Sequence, residues 1–407
     1  MSTIPCFERQ EPDAFRENEA GMDLDELLLN RRQLEDVRLA LRERIGQGLT
    51  VDGEEVRALL TYLPPPLDKP TGRVVVVDCG GTNQRAALVD LDNRKVEGGP
   101  VEERIRDGRD QPVPADEFFD SQAALVARLS PPPGCNVGYC FSYPAHVLPN
   151  RDATLIRWTK GVHVTGVEGE PVGAALARAM RRAGMEPGEV RVLNDTVASL
   201  LAGALTHPEY DDFIGLIVGT GTNSAGFLPL DSIPKYAGPL TGKMAVNLES
   251  GNFHPPHLTA ADEAVDRNSD NPGLQRLEKA VSGYYLPFVF EQCVPGLTGF
   301  DPTAGTGPLV DLRTNRPESV EGKAAARVLA RSADLVAACL AGLIDHFPGQ
   351  GSVGILAEGS TFWKDPQYPG RVGETLQALL GERKFAILRA NEANLMGAAC
   401  AAGLPLT

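Results

Sequence analysis

Residues 73–91, RVVVVDCGGTNQRAALVDL, constrain the fold more than any other stretch of the chain. Four consecutive valines lead into Asp78, and a β-branched run of this kind favours a buried strand. Gly80-Gly81-Thr82-Asn83 then reverses the chain, and a second apolar run starts at Ala86. With no Cβ in the way, the N–H groups of such a turn can wrap phosphate oxygens, while Asp78 faces the metal ion that phosphates carry. The same residues also suit an ordinary hairpin whose glycines only supply positive φ. A later stretch separates the two readings. Residues 213–230, FIGLIVGTGTNSAGFLPL, repeat the plan of apolar run, glycine turn and second strand, and Gly81-Thr82-Asn83 returns as Gly221-Thr222-Asn223. Two such units in one chain suggest duplicated halves clamping a single nucleotide.

Neither turn is one of the commoner phosphate motifs. A Walker A loop needs Gly-Lys-Ser/Thr leading into a helix, but Gly242-Lys243 is followed by Met244 and Gly322-Lys323 by Ala324. A dinucleotide fingerprint opens a helix, whereas a strand-like run follows each turn here. The net charge of −15 argues against nucleic acid, which needs clustered Lys and Arg. Arg178, Arg181 and Arg182 are spaced as the solvated face of a helix. With 42% hydrophobic and 23% charged residues the chain has globular values, and its 407 residues suffice for two or three domains. No window approaches a membrane span, and the first residues lack the basic start and apolar core of a secretory signal. Seven scattered cysteines form no C-x-x-C pair, as expected of a cytoplasmic protein in a reducing compartment. His254 and His257 in HPPH are read as a surface loop rather than metal ligands, because two prolines intervene.

Taken in order, residues 21–62 read as two helices, LDELLLNRRQLEDVRLALRERI and the shorter VDGEEVRALLTYL, before a proline-rich linker. A strand near 95–105, a helix over 115–129 and a strand ending in Ser142 follow. An alanine-rich helix spans 170–184, and VRVLNDTVASLLAGAL is a strand running into a helix. Long helices are expected over 271–285 and 321–344, with loop over 294–320. A last buried strand at 354–356 and a small-residue helix at 394–402 close an α/β chain.

Asn194-Asp195-Thr196 stands where strand meets helix. Those residue types cap helices, yet polar groups at the C-terminal end of a buried strand also point into an α/β crevice. There an Asp can take a proton from a hydroxyl, and the helix N-terminus keeps it ionised. Thr159 and Lys160, after Trp158, offer a hydroxyl and an ammonium, or simply a turn with a surface lysine. Glu278 by itself fits the polar face of its helix.

Together these segments resemble the hexokinase family, within the actin-like sugar-kinase superfamily, from about Leu59 to the C-terminus. DCGGTNQR and IGLIVGTGTNSA resemble its two phosphate segments, and CFSYP with WTKGVHVTGVEGEPV its sugar segments. LNDTVASLLAGA resembles the segment of the catalytic aspartate, NLESGNF and DNPGLQRLEKAVSGYYL those donating two glutamates, and ILAEGSTFWK the adenosine segment. The resemblance implies two actin-like (ribonuclease H-like) domains with a cleft between them, plus N-terminal helices. The small domain would span 66–195, completed by 394–407, and the large domain 196–393, with 1–65 packed on the latter. It implies ATP-dependent phosphorylation of the 6-hydroxyl of glucose or a related hexose, with Mg2+, in a monomer or homodimer that closes on sugar. Ser142, Thr159, Lys160, Asn194, Asp195, Asn223, Glu249 and Glu278 would hold the sugar, with Asp195 as base and Lys160 beside it in catalysis. Asp78 would position the metal through water. Gly80, Gly81, Thr82, Asn83, Arg85, Gly219, Thr220, Gly221 and Thr222 would hold the phosphates, and Gly359 and Ser360 the adenosine. The chain departs from the family at Gln84, where Phe is usual, at Ser250 for Trp and at Met396 for Lys. It also carries Pro287, Phe288 and Phe290 where Gly-Glu and then Arg are usual. A kinase for another sugar or a cyclitol is the alternative within the class, and a sugar-sensing regulator on a kinase scaffold the alternative outside it.

Overall fold

The computed structural model describes residues 24–67, 69–108, 111–159 and 161–405. Two mixed sheets carry the architecture. In the first, β4 (Lys95–Arg104), β3 (Asn83–Asp90) and β2 (Arg73–Cys79) are antiparallel neighbours, and β6 (Val137–Phe141) and β10 (Val190–Leu193) continue parallel to β2. In the second, β13 (Lys243–Asn247), β12 (Thr222–Pro229) and β11 (Asp212–Val218) are the antiparallel trio, followed by parallel β14 (Val353–Glu358) and β15 (Phe385–Leu388). The two sheets share one strand order, so the sequence echo is an echo of fold. The second gains an edge strand, β1 (Leu59–Leu60), paired with β13. Two small ribbons, β5 (Val113–Pro114) with β9 (Val164–Thr165) and β7 (Ala145–Val147) with β8 (Ala153–Leu155), complete the strands.

Alternation along β2 divides its side chains between two cores. Val75, Val77 and Cys79 face α2 (Ala115–Ala127) and α3 (Val172–Arg182), whereas Val74 and Val76 face a layer made by α4 (Asp195–Thr206) and α12 (Ala393–Gly403). Phe213, Ala225, Phe227 and Ala245 of the second sheet reach the same layer from the other side. The far face of the second sheet packs under α1 (Arg31–Thr50), α9 (Val320–Ile344) and α11 (Tyr368–Leu380). Asn30 and Gln33 form a reciprocal capping box at the start of α1, which buries Leu34, Val37, Leu41, Ile45 and Leu49 at helical spacing. The remaining helices are α5 (Ala260–Arg267), α6 (Arg276–Val281), α7 (Leu286–Cys293), α8 (Gly307–Asn315) and α10 (Ser360–Lys364). Among the described residues no helix is long and apolar enough to cross a membrane.

Several expectations are corrected. VDGEEVRALLTYL forms turns and β1 rather than a helix, because its apolar residues pair with β13. Residues 271–285 hold only the six-residue α6, and 294–320 contain α8. The strand at 354–356 is not the last, since β15 follows it. The HPPH loop is a surface loop, with His257 Nε2 2.9 Å from Asp36 Oδ2. Among the described residues no two cysteines are joined in a disulfide, and Cys6 lies outside them.

Candidate active site

The strand parity that sends Val74 and Val76 toward α4 sends Asp78 the same way, to the end of β2. Asp195 is the first residue of α4, and Asn194 caps that helix by accepting from Thr196 N at 2.9 Å. The N–H of Thr196 also donates to Asp195 Oδ1 (2.8 Å), so the helix terminus faces this carboxylate. Across the strand pair from Asp78 stands Arg85, whose Nη2 donates to Asp78 Oδ2 at 2.5 Å. Burial pushes the Asp78 carboxyl up, Arg85 pulls it back, and the charge of Asp195 adds to the rise. Cys140 stands opposite Asp78 on β6.

Two acids at this centre were not anticipated from the sequence. Glu358 ends β14 with the parity of Leu356, which packs on α4 and α12. Its carboxyl is pushed up to about 7 by burial and then by Asp195, against the pull of Arg85. Glu392, at φ 56° before α12, accepts from Arg85 Nη1 at 2.9 Å. Glu358 had a signal: it immediately precedes the Gly359-Ser360 of the adenosine segment.

The residues expected to hold sugar fall into two groups. Asn223, Glu249 and Glu278 are brought together on the second sheet. Asn223 Nδ2 donates to Asn247 Oδ1 and Asn247 Nδ2 to Glu249 Oε1, each at 2.8 Å. Glu278 Oε2 accepts from Thr222 N (3.0 Å) in the second glycine turn. Ser142 and Thr159 belong to the first sheet's side. Ser142 is buried at the end of β6, its N–H on Cys79 O (3.1 Å). Thr159 is half-buried, and its carbonyl accepts from Val162 N (3.2 Å). Trp158 before it is fixed by Nε1 to Val164 O (2.8 Å) and by edge contacts with Phe118, Phe141 and Tyr143. Lys160 lies outside the described residues. Asn194 and Asn247 meet from opposite sides at a cavity of about 20 Å3, with Phe141, Tyr143 and Val192 in its wall.

Both glycine turns are hairpins, as the sequence suggested. Gly80 N donates to Asn83 O (3.1 Å), and Tyr143 OH to Gly80 O (2.6 Å). Gly81, Thr82 and Asn83 lie at the accessible tip, as does Thr220 in the second turn. Gly219 N donates to Gly221 O (2.9 Å), and a Cβ on Gly221 would come within 2.6 Å of Glu278 Oε2. Gly359, at φ 111°, lies so close to Val218 and Gly219 that only a glycine fits, which sets Ser360 beside the second turn. The residues present suit a magnesium nucleotide: bare backbone turns for phosphates, and the buried carboxylate of Asp78 as a hard oxygen acceptor for the waters that Mg2+ keeps alongside phosphate oxygens.

The departures from the family pattern have definite places. Gln84 turns into the fold, its Nε2 on Ser121 Oγ (3.0 Å). Ser250 is buried against Ser224, Oγ to Oγ at 2.9 Å. Phe288 and Phe290 belong to the core beneath α7 and α9. Met396 packs against the layer of α4 and α12.

Two sheets of one strand order, each with a glycine hairpin at its edge of a cleft, are the two-domain sugar-kinase fold. A hexokinase from Schistosoma mansoni complexed with glucose superposes with a TM-score of 0.78 at 24% identity, covering 93% of this chain and 97% of that one. A ROK family glucokinase from Streptomyces griseus, in complex with glucose and AMPPNP, gives 0.51 at 20% identity over 81% of this chain and 99% of its own. The chain belongs to the hexokinase family: two family models, each described as hexokinase, match residues 23–205 and residues 213–298 with 317–404. Hexokinase-1 of Nicotiana tabacum is 35% identical over 274 residues, 62% of this chain and 54% of that protein. The chain thus spans about half the length of the first curated relatives it matches.

Proposed function

We propose that this protein is an ATP-dependent hexose kinase that phosphorylates the 6-hydroxyl of glucose or a close relative. The observation that carries the reading is the place of Asp195. It sits at a helix N-terminus, electrostatically coupled to Asp78 and Glu358, which end strands of the two sheets. In this reading Asn194, Asn223, Glu249 and Glu278 hold the sugar, with Ser142 and Thr159 on the opposite wall and Lys160, next to Thr159 in sequence, as a further partner. Carboxylates and amides suit vicinal hydroxyls because each can bridge two of them. The sugar oxygen bonds to the terminal phosphorus as the bond to the leaving diphosphate breaks, and the hydroxyl proton passes to an Asp195 oxygen. The phosphoryl transition state is loose, so Asp195 accepts the proton late and most of the rate comes from positioning and charge neutralisation. Mg2+, when bound, neutralises phosphate charge; Asp78 would orient it through water. Residues 66–195 with 394–407 and residues 196–393 are the two bodies that close, with 1–65 riding on the second. The contacts of α1 with α9 and the pairing of β1 with β13 support that last assignment.

The test is an ADP-release screen over hexoses, hexosamines and cyclitols. Turnover fastest with glucose or a near relative is expected. Turnover confined to a cyclitol or another sugar would replace the substrate, and no turnover on any of them would favour a sugar-sensing regulator.

A further inference from the structure

Asn247 is not among the residues that the family resemblance assigns to the sugar, yet it stands between two of them. It is 5% exposed, on β13 opposite Ala225 of β12 and Leu59 of β1. The direction of every hydrogen bond around it follows from chemistry alone. Asn223 Oδ1 accepts from Ser224 N at 2.7 Å and Ser250 N at 3.1 Å. A backbone N–H can only donate, so that atom must be the amide oxygen, and both its lone pairs are engaged. Asn223 Nδ2 therefore faces Asn247 and requires an oxygen there. Asn247 Nδ2 is then turned to Glu249 Oε1. An amide flip at either asparagine would set donor against donor, or acceptor against acceptor.

The relay also bears on the backbone. Glu249 is a non-glycine residue in the left-handed region, at φ 52° and ψ 44°. Its N–H points at Asn247 Oδ1 (3.4 Å), and its carbonyl accepts from Asn252 Nδ2 (3.1 Å). Asn247 thus grips Glu249 at both its carboxylate and its backbone.

We propose that Asn247 is a positioning residue for the sugar site, fixing the faces that Asn223 and Glu249 present to sugar hydroxyls. This rests on the hexose-kinase reading above. With Asn247 in place, Asn223 offers an N–H and Glu249 an acceptor, in an order set before the ligand arrives. That preorganisation should appear in sugar affinity rather than nucleotide affinity. An aspartate of the same shape can still accept from Asn223, but it sets a carboxylate against Glu249. The pair then regains a donor only by taking up a proton.

The experiment compares Asn247→Ala and Asn247→Asp with the parent, reading KM for sugar, KM for ATP, sugar binding by calorimetry and melting temperature. Asn247→Ala is expected to raise the sugar KM and Kd by more than about tenfold while the ATP KM stays within about threefold. Asn247→Asp should show the same rise at pH 8 and recover part of it as pH falls to about 6, a recovery that Asn247→Ala lacks. Folded variants whose sugar KM and Kd stay within about threefold of the parent at both pH values overturn the proposal. So does an equal rise in sugar and ATP KM, the mark of a merely structural role. If Asn247→Ala fails to fold, the isosteric Asn247→Asp decides alone. A parent protein that binds sugar without turnover removes the kinase reading and leaves the relay testable through Kd. A parent that binds no sugar removes both.

Discussion

Glu358 shows what a single buried acid does when a cleft gathers several. Its carboxyl holds a proton to about pH 7, whereas an unperturbed glutamate releases it near 4.5. A raised carboxylate pKa means that the folded state binds the proton more tightly than the unfolded one. Its contribution to stability is therefore fully present below about pH 4.5 and lost as pH rises to about 7. Glu358→Gln removes this titration while keeping the shape. Without nucleotide and in EDTA, the variant should melt a few degrees above the parent at pH 8, with the gap closing toward pH 5. Equal melting temperatures at pH 8 would mean that Glu358 is well solvated and its burial immaterial. Asp195 supplies the chemical test. Asp195→Asn keeps much of the hydrogen bonding but cannot accept a proton, so turnover should fall by several orders of magnitude with sugar binding within about tenfold. Near-normal turnover would take the role of base from Asp195. Both Asp78 and Asp195 were legible in the sequence, because each closes an apolar strand next to turn or cap residues. Glu358 was marked only by its place before Gly359-Ser360, since its meeting with Asp195 and Arg85 depends on β14 pairing with β11, a strand distant in sequence. Asn247 was hidden for the same reason: an asparagine ending a strand says nothing of the two partners that meet it only when β12 and β13 pair.

Elements with strong periodicity were readable, and those shaped by tertiary contact were not. The valine run of β2 and the apolar stripes of α1 and α9 declare themselves within their own residues. The stretch 271–285 looks like one helix by pattern, but it stops at Val281 because Gly283 must approach the second glycine hairpin. There Gly283 N donates to Gly219 O at 2.7 Å, where any Cβ would collide with Thr361. The four half-buried residues of β15 carry no alternation at all. The small-residue helix at the C-terminus was read, but not the reason for its composition. A Cβ on Gly397 of α12 would overlap the carbonyl of Ala198 in α4, and one on Gly138 of β6 would overlap the carbonyl of Ala398. The glycines let α12 lie against helix and sheet at backbone distance. Gly397→Ala should therefore cost about 2–4 kcal/mol as α12 is pushed off α4. The matched control is Gly46→Ala in α1, where nothing lies within 4 Å of an added Cβ. That change should stabilise by about 0.5–1 kcal/mol through the unfolded chain. Denaturant midpoints measure both, and a Gly397→Ala protein as stable as the parent would show that α12 has room to shift.

For the whole molecule, the sequence carried the duplication but not the layer that joins the halves. The repeated Gly-Thr-Asn turns announce two sheets of one plan. That α4 and α12 lie between those sheets, with the acids at their N-termini, depends on packing that no single segment encodes. Closure of the halves on sugar would keep water from taking the phosphoryl group, and it requires that sugar bind the closed state better than the open one. Two tryptophans report on this from opposite sides. Trp158 packs in the core of the first sheet, its ring centroid 4.8 Å from Tyr143 and its chain leading directly to Thr159. Trp363 packs against the core of the second sheet, its Nε1 on Ala357 O (2.7 Å) and the Arg389 guanidinium 5.1 Å from its ring centroid. A sugar that engages Thr159 shifts the surroundings of Trp158 and leaves the indole of Trp363, in α10, bonded to β14. Sugar titrations of Trp158→Phe and Trp363→Phe, each without nucleotide, separate the two contributions. Trp363→Phe should keep most of the sugar-induced change in emission and Trp158→Phe should lose most of it. The reverse pattern would put the sugar on the wrong side of the cleft, and with it the placement of Thr159 in the sugar site.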